Sequence, residues 1–286
     1  MAAFAQLTVL APGLLGGSVA RAVRAAGLAK RIVLWARRPE TRAALRGQPW
    51  CDAAPDTPEE AVAGASLVVI ASPVDQIAAL AARIAPALPA GTLVTDVGSV
   101  KAEVCRGAAA ALAERAVFVG AHPMAGSEKT GWEHSRADLF QGRACFVTPR
   151  PETPATALEA VAAFWRALGC RVTAVSPAEH DRIVAHISHL PQVAASALCA
   201  ALAGQDPGWR DFAGGGLRDT TRIAGSDPEL WRTILAQNRT EVLAALDLYL
   251  GELQGLRAAL AEGDLAAVAE VLQRGRAYRA GIPPAP

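Results

Sequence analysis

The sequence predicts an α/β fold, a doubly wound (Rossmann-like) parallel sheet followed by an all-helical segment. Over the first 175 residues, short apolar runs alternate with stretches of helical spacing, the pattern of successive βαβ units. The first of these units carries a glycine-rich turn, Ala11-Pro-Gly-Leu-Leu-Gly16. Beyond Ser176-Pro-Ala-Glu179 the pattern changes: segments 178–203, 227–260 and 264–280 are alanine-rich and show no strand signal. These observations divide the chain into two expected domains, 1–175 and 176–286.

Taken in order, Gln6–Ala11 reads as a strand and Leu14–Ala26 as a helix. The turn between them is a degenerate G-x-G-x-x-G, with Ala11 in the first glycine position. Backbone N–H groups at a helix start can cradle a pyrophosphate only where side chains are absent, which is the use of Gly13 and Gly16. Leu14, Leu15 and Ser18 complete the expected cofactor-binding stretch. The second strand is Arg31–Trp35, ending at Ala36-Arg37-Arg38. Thr57-Pro-Glu-Glu60 carries the marks of a helix start. Ser66–Ala71 is a buried strand ending at Ser72-Pro73, and Thr92–Thr95 another, ending at Asp96-Val-Gly-Ser99. The carboxyl ends of such strands form the ligand edge of an open sheet, so Ala71, Ser72, Pro73 and Asp96 join the cofactor-binding set. Ser99 reads as an N-cap for a helix over 101–114, or as a hydroxyl facing the crevice. Ala116–Ala121 is a further strand, and Arg143–Thr148 and Arg171–Val175 look like closing strands around a helix near 155–168.

Composition excludes several classes. The 286 residues are 52% hydrophobic and 19% charged, with a formal net charge of +1, so there is no field for nucleic acid or an anionic membrane. The cysteines, Cys51, Cys105, Cys145, Cys170 and Cys199, show no CxxC spacing and read as thiols of a reducing compartment. The N-terminus lacks the basic region of a signal peptide, and no apolar run reaches membrane-spanning length without a charge or proline; a cytoplasmic location is expected.

In the helical half, Ser176-Pro-Ala-Glu179 is a capping box with proline at the first position. His180, Asp181, His186 and His189 follow, without the spacing of a metal site; no metal is expected. His180 reads as a solvated or satisfied helix residue. Pro191 should kink the helix just beyond His189. Arg218 and Arg222, four apart after Gly214-Gly-Gly216, can share a helix face and offer a bidentate partner to a carboxylate. Ser226-Asp-Pro-Glu229 reads as another capping box, with Trp231 in the first turns after it. Helices this apolar over 111 residues make a thin core, which points to packing against a second subunit.

The chemistry concentrates at His122-Pro-Met-Ala-Gly-Ser-Glu-Lys-Thr-Gly131, a histidine at a strand's end followed by reactive side chains and two glycines. This stretch resembles the signature loop of the prephenate/arogenate dehydrogenases of tyrosine biosynthesis. Gly13-Leu-Leu-Gly-Gly-Ser18, Asp96-Val-Gly-Ser-Val-Lys101 and Gly214-Gly-Gly-Leu-Arg-Asp-Thr-Thr-Arg222 are similar to segments of that family, in the same order, over about residues 6 to 275.

The resemblance implies oxidative decarboxylation of prephenate or arogenate with hydride transfer to NAD(P), giving 4-hydroxyphenylpyruvate or tyrosine. It implies His122 as acceptor of the substrate hydroxyl proton, with Ser99 orienting either His122 or that hydroxyl. Arg222 and His189 would hold the remote carboxylate, and Glu128 would pair with Arg222 when the site is empty. Ser127, Gln192, Asp181 and Arg218 complete the expected substrate-binding set. Gln192 stands where the family often has a second histidine, so no ionisation is available there. A homodimer through the helical domain is implied as well. Two other readings stand beside this one. A β-hydroxyacid dehydrogenase of similar build would need a catalytic lysine in the helical half, and the chain has none after Lys129. A non-catalytic dinucleotide sensor would not need His122, Ser99 and Arg222 together.

Cofactor choice is read from the second strand. NAD enzymes of this fold place an acid there, about twenty residues past the glycine loop, for the ribose 2′-hydroxyl. Here the position is Ala36, followed by Arg37 and Arg38, a pair suited to a 2′-phosphate. NADP in preference to NAD is the expectation.

Overall fold

The computed structural model describes residues 3–113, 115–126 and 129–283. Five strands, β1 (Phe4–Leu10), β2 (Ala29–Trp35), β3 (Leu67–Ile70), β4 (Thr92–Asp96) and β5 (Ala116–Phe118), form one sheet in the order β2-β1-β3-β4-β5. Every neighbouring pair is parallel. All four residues of β3, Leu-Val-Val-Ile, are buried, as a strand covered on both faces requires. Helices α1 (Leu14–Ala26), α2 (Pro39–Arg46), α3 (Pro58–Val62), α4 (Ile77–Ile84) and α5 (Ala102–Leu112) supply the cover. Leu7, Val9, Ile32, Leu34 and Val69 pack with Val19 and Val23 of α1, while Leu10, Val33, Val68 and Ile70 pack with Ile77, Ile84 and Val104. The period-2 alternation of strand side chains thus feeds two cores, one per face. Thr57 and Glu60 exchange side-chain and backbone bonds at the start of α3, a complete capping box.

The run 116–121, expected as one strand, breaks at Val119. After β5 the chain leaves the first sheet, and β6 (Gly120–Pro123) pairs antiparallel with β7 (Ala144–Thr148), which pairs parallel with β8 (Arg171–Ala174). The two closing strands therefore build a second, three-stranded sheet and do not extend the first. Gly120 permits the crossing: a Cβ there would sit 2.5 Å from both Cys105 Sγ and Thr148 Oγ1. Helix α6 (Ala155–Ala167) joins β7 to β8 and buries Phe164 and Trp165. The consequence for the site is that His122 lies within a strand, opposite Phe146, and not in a loop beyond it.

The helical half comprises α7 (Pro177–Val184), α8 (Leu190–Ala203), α9 (Gly215–Thr221), α10 (Pro228–Gln237), α11 (Arg239–Glu262) and α12 (Leu265–Ala280). Ser176 caps α7 by accepting from the Glu179 N–H. Pro191 does not produce a simple kink; residues Ala185–His189 form a π turn ahead of it, and the proline sits in the first turn of α8. The second expected capping box is corrected. Asp227, not Ser226, accepts from Glu229 N–H, and the Ser226 hydroxyl donates to the Ile223 carbonyl. The core peculiar to this half is small: Ala185, Val242 and Ala245, with Leu190, Val193 and Leu235 around them. The run Pro177–Ala203 is apolar and long enough by composition to cross a membrane, yet its His180, Asp181 and His189 are bonded inside the protein.

Candidate active site

The glycine turn meets the demands of a phosphate cradle. Ala11 has φ of 60°, the left-handed conformation that the first glycine of such a turn normally takes. Gly16 lets α1 approach β3, since a Cβ would lie 2.8 Å from Ala71 Cβ and 3.0 Å from Val9 Cγ1. Gly13 faces open space, with nothing within 4 Å of an added Cβ. No side chain caps α1, and its first turn carries no acid. Its leading N–H groups, on Leu14 and Leu15 among others, are therefore available to an anion. Ala71, Ser72 and Pro73 end the neighbouring β3, at the point where strand order reverses between β1 and β3.

Ser18 is a correction. It is buried, its hydroxyl donates to the Leu14 carbonyl at 2.7 Å, and it accepts from the Arg136 N–H at 3.0 Å. It ties α1 to the loop at 135–136, and its one hydroxyl hydrogen is committed, so it has no side-chain donor left for a phosphate.

At the end of β2, Ala36 is buried while Arg37 and Arg38 are exposed, and neither arginine forms an ion pair among the described residues. Arg42 braces the turn beneath them by donating to the Ala36 and Arg37 carbonyls at 2.9 and 3.0 Å.

Asp96 is a second correction. It is fully buried, forms an ion pair with Lys101, and accepts from the Gly98 and Ala121 N–H groups at 2.8 and 3.0 Å. Lys101 Nζ also donates to the Ala121 carbonyl at 3.0 Å. The pair fastens the end of β4 to the residue just before His122 and does not face a ligand. Ser99 is half-buried and is not a helix cap, because α5 begins at Ala102. It makes no hydrogen bond to His122 or to another described residue.

His122 is 8% exposed, and its Nδ1 lies 2.9 Å from Nε2 of His180. His180 is fully buried, its Nδ1 is 2.7 Å from Asp181 Oδ1, and its ring stands edge-on to Phe146. Asp181 in turn accepts from the Lys101 and Ala102 N–H groups at 2.7 and 2.9 Å, capping α5 from another helix. Two expectations change here. Asp181 is no substrate contact, because its oxygens are occupied, and His180 is no bland helix residue, because it touches the candidate base. Burial, reinforced by the positive charge His180 would carry and by Lys101, holds the His122 pKa well below its usual 6.5. Burial likewise lowers that of His180, against the opposing pull of Asp181.

His189 is also fully buried. Asn238 Nδ2 donates to the Asp181 carbonyl at 2.8 Å and faces His189 Nδ1 at 3.1 Å. Nδ1 of His189 is then the acceptor and Nε2 carries the hydrogen, buried without a partner. Burial takes the His189 pKa to about 4, and Trp231 stands edge-on at 5.9 Å. Gln192 is buried on α8 and donates to Ser196 Oγ at 3.3 Å. Arg222 is exposed at the end of α9, and Arg218, also exposed, donates to the Ala213 carbonyl. Neither arginine pairs with Asp219 among the described ion pairs. Ser127 and Glu128 lie outside the described residues. Sequence reasoning missed Lys101, His180 and Asn238 as organisers of the site. The adjacent His180-Asp181 pair, following a helix cap, was the one local signal that could have pointed to them.

A glycine turn shaped as a dinucleotide cradle, together with buried histidines, fits an NAD(P)-dependent oxidoreductase. Comparison with known proteins gives the particular family. Residues 19–174 match the model for the nucleotide-binding domain of prephenate dehydrogenase, and residues 176–274 match that for its dimerization domain. The cyclohexadienyl dehydrogenase of Zymomonas mobilis is 34% identical over 268 residues, 92% of this chain and 91% of that one. The structure is similar to that of prephenate dehydrogenase from Aquifex aeolicus with hydroxyphenyl propionate and NAD+, with a TM-score of 0.90 and 30% identity, covering 97% and 98% of the two chains. Synechocystis arogenate dehydrogenase follows at a TM-score of 0.83 and 27% identity, covering 96% and 98%. The chain belongs to the prephenate dehydrogenase family and is an oxidoreductase of tyrosine biosynthesis.

Proposed function

We propose that this chain, as a soluble cytoplasmic homodimer, converts prephenate or arogenate to 4-hydroxyphenylpyruvate or tyrosine and reduces NADP in preference to NAD. The observation that carries the reading is His122. It is buried on β6, held by His180 through Nδ1, and its Nε2 has no hydrogen-bond partner among the described residues. A bound nicotinamide dinucleotide supplies the hydride acceptor. His122, kept neutral by burial, takes the proton of the substrate hydroxyl through Nε2. Arg222, free of any described ion pair, binds the carboxylate. His189 offers its unpartnered Nε2–H as a further donor to that end of the substrate. Ser99, half-buried at the end of β4, hydrogen-bonds the reacting hydroxyl.

Replacing His122 by Asn tests the proposal. A general base contributes on the order of a hundred- to ten-thousand-fold, so kcat should fall by that factor with KM little changed. A loss below about tenfold would remove His122 from the role of base. Initial rates with prephenate and arogenate, each with NADP and NAD, assign the substrate and cofactor. Exposed Arg37 and Arg38 beside buried Ala36 support NADP. The double substitution Ala36→Asp/Arg37→Ile should shift kcat/KM towards NAD, and an unchanged ratio would mean that these arginines do not read the ribose.

A further inference from the structure

Deciding which nitrogen of His122 bears its hydrogen requires starting from the fixed end of the chain of bonds that reaches it. Both Asp181 oxygens accept backbone N–H groups, at 2.7 Å from Lys101 and 2.9 Å from Ala102. A backbone N–H can only donate, so the carboxylate is pinned as an acceptor at the start of α5. His180 Nδ1, 2.7 Å from Asp181 Oδ1, must then carry a hydrogen and donate it. A neutral imidazole has one N–H, which leaves His180 Nε2 as an acceptor. Facing it at 2.9 Å is His122 Nδ1, which must be the donor. The remaining nitrogen of His122, Nε2, therefore holds a lone pair.

We propose that Asp181 and His180 act as positioning residues that fix the tautomer of His122, setting Nε2 as the proton acceptor in the reaction. The functional half of this inference rests on the reading of His122 as the base. The opposite polarity would place two lone pairs, or two N–H groups, face to face between buried rings. A charged ring would relieve the second conflict, but burial opposes charge on both histidines. The geometry also fixes direction. Phe146 lies across the β6–β7 ladder from His122 and stands edge-on to His180 at 5.3 Å, so the second ring is held against the strand that carries the first. Ser99, which makes no hydrogen bond to His122, does not perform this task.

The test reads the tautomer directly. In long-range ¹H–¹⁵N spectra of ¹⁵N-histidine-labelled enzyme at neutral pH, with His122 assigned by loss of its signals in His122→Asn, the ring should show Nδ1–H and an unprotonated Nε2. Replacing His180 by Phe removes the acceptor while keeping a flat ring. The His122 hydrogen should then move to Nε2, and kcat should fall about tenfold to a hundredfold, a part of what a general base supplies, with KM little changed. His180→Gln restores an acceptor near the position of Nε2 and should recover much of that loss, with the Nδ1–H signature. Wild-type enzyme with Nε2–H at His122 overturns the proposal, as does a His180→Phe variant that alters neither tautomer nor kcat. The wild-type spectrum decides even if the Phe variant does not fold. An Nδ1–H tautomer together with an active His122→Asn enzyme would overturn the catalytic assignment of His122 and leave the tautomer assignment standing.

Discussion

In the sheet half, the apolar strand residues from Leu7 to Phe118 are buried or packed against the core, covered by helices on both faces. In the helical half the proportion is reversed. Every exposed large apolar residue among those described falls from Ile187 onward, including Phe212 at 85%, Leu248 at 66% and Leu272 at 64% exposure. One half can bury its apolar surface within one chain, because a parallel sheet offers two faces. The other is built of helices joined end to end, and three small or medium side chains form its private core. Surface of this extent needs a partner, and the match of residues 176–274 to a dimerization domain names a second copy.

The largest expected effect follows from breaking that dependence. Leu248→Glu combined with Leu272→Glu should abolish the dimer in size-exclusion chromatography. Limited proteolysis should then digest the helical half and leave a resistant fragment ending near residue 175. A dimer that survives both charges, or a variant that unfolds throughout, would remove the contrast between the halves.

Acid should act on the seam where the halves meet. His122 comes from the sheet half and His180 and His189 from the helical half, and burial lowers the pKa of all three from 6.5. The folded state therefore binds fewer protons than the unfolded chain once the pH drops below that value. Stability should be complete above about pH 7 and decline as pH falls through 6.5, with the His189 contribution exhausted near its folded value of about 4. Each histidine adds a slope of up to about 1.4 kcal/mol per pH unit within its window. Denaturant midpoints at pH 7.5, 6 and 5 should fall in that order, and His189→Gln should flatten the decline. A flat profile would show that the seam does not depend on neutral rings.

The smallest effect lies in the glycine turn of the sheet half. Ala11→Gly relieves a side chain held at φ of 60°. The cost of that conformation, about 1–2 kcal/mol, is partly offset by the greater freedom of an unfolded glycine, about 0.4–1 kcal/mol. A net gain of about 0.5–1 kcal/mol is expected, and the thermal midpoint measures it. A lower midpoint would mean that Ala11 is unstrained.

The strands and helices of the sheet half were legible because their residues obey local rules. The unbroken apolar run of β3 and the Thr57 capping box needed no knowledge of the rest of the chain. The break at Val119 was not legible, because it depends on Cys105 and Thr148 closing around Gly120 from distant segments. The site divides in the same way. Gly13, Gly16 and His122 are the candidate residues that turn chemistry and placement at strand ends single out in the sequence. Ser18, Asp96 and Asp181 looked equally available in sequence, yet the Leu14 carbonyl, Lys101 and the start of α5 engage them inside the protein. His180 was misjudged for the converse reason, since its importance comes from a neighbour 58 positions away.

The π turn at Ala185–His189 works as a phase shift in the helix. An i→i+5 bond takes up an extra residue, so α8 leaves the turn rotated by about 100° from where a regular continuation of α7 would put it. Pro191 would clash with the carbonyl of Ile187 in that regular continuation, and the wider turn removes the conflict. Deleting Ile187 should put α8 back in phase with α7, restore the proline clash and carry His189 away from Asn238 and Trp231. What reads in sequence as a proline inside a helix is thus a single-residue insertion, retained with the offset that turns His189 towards its partners.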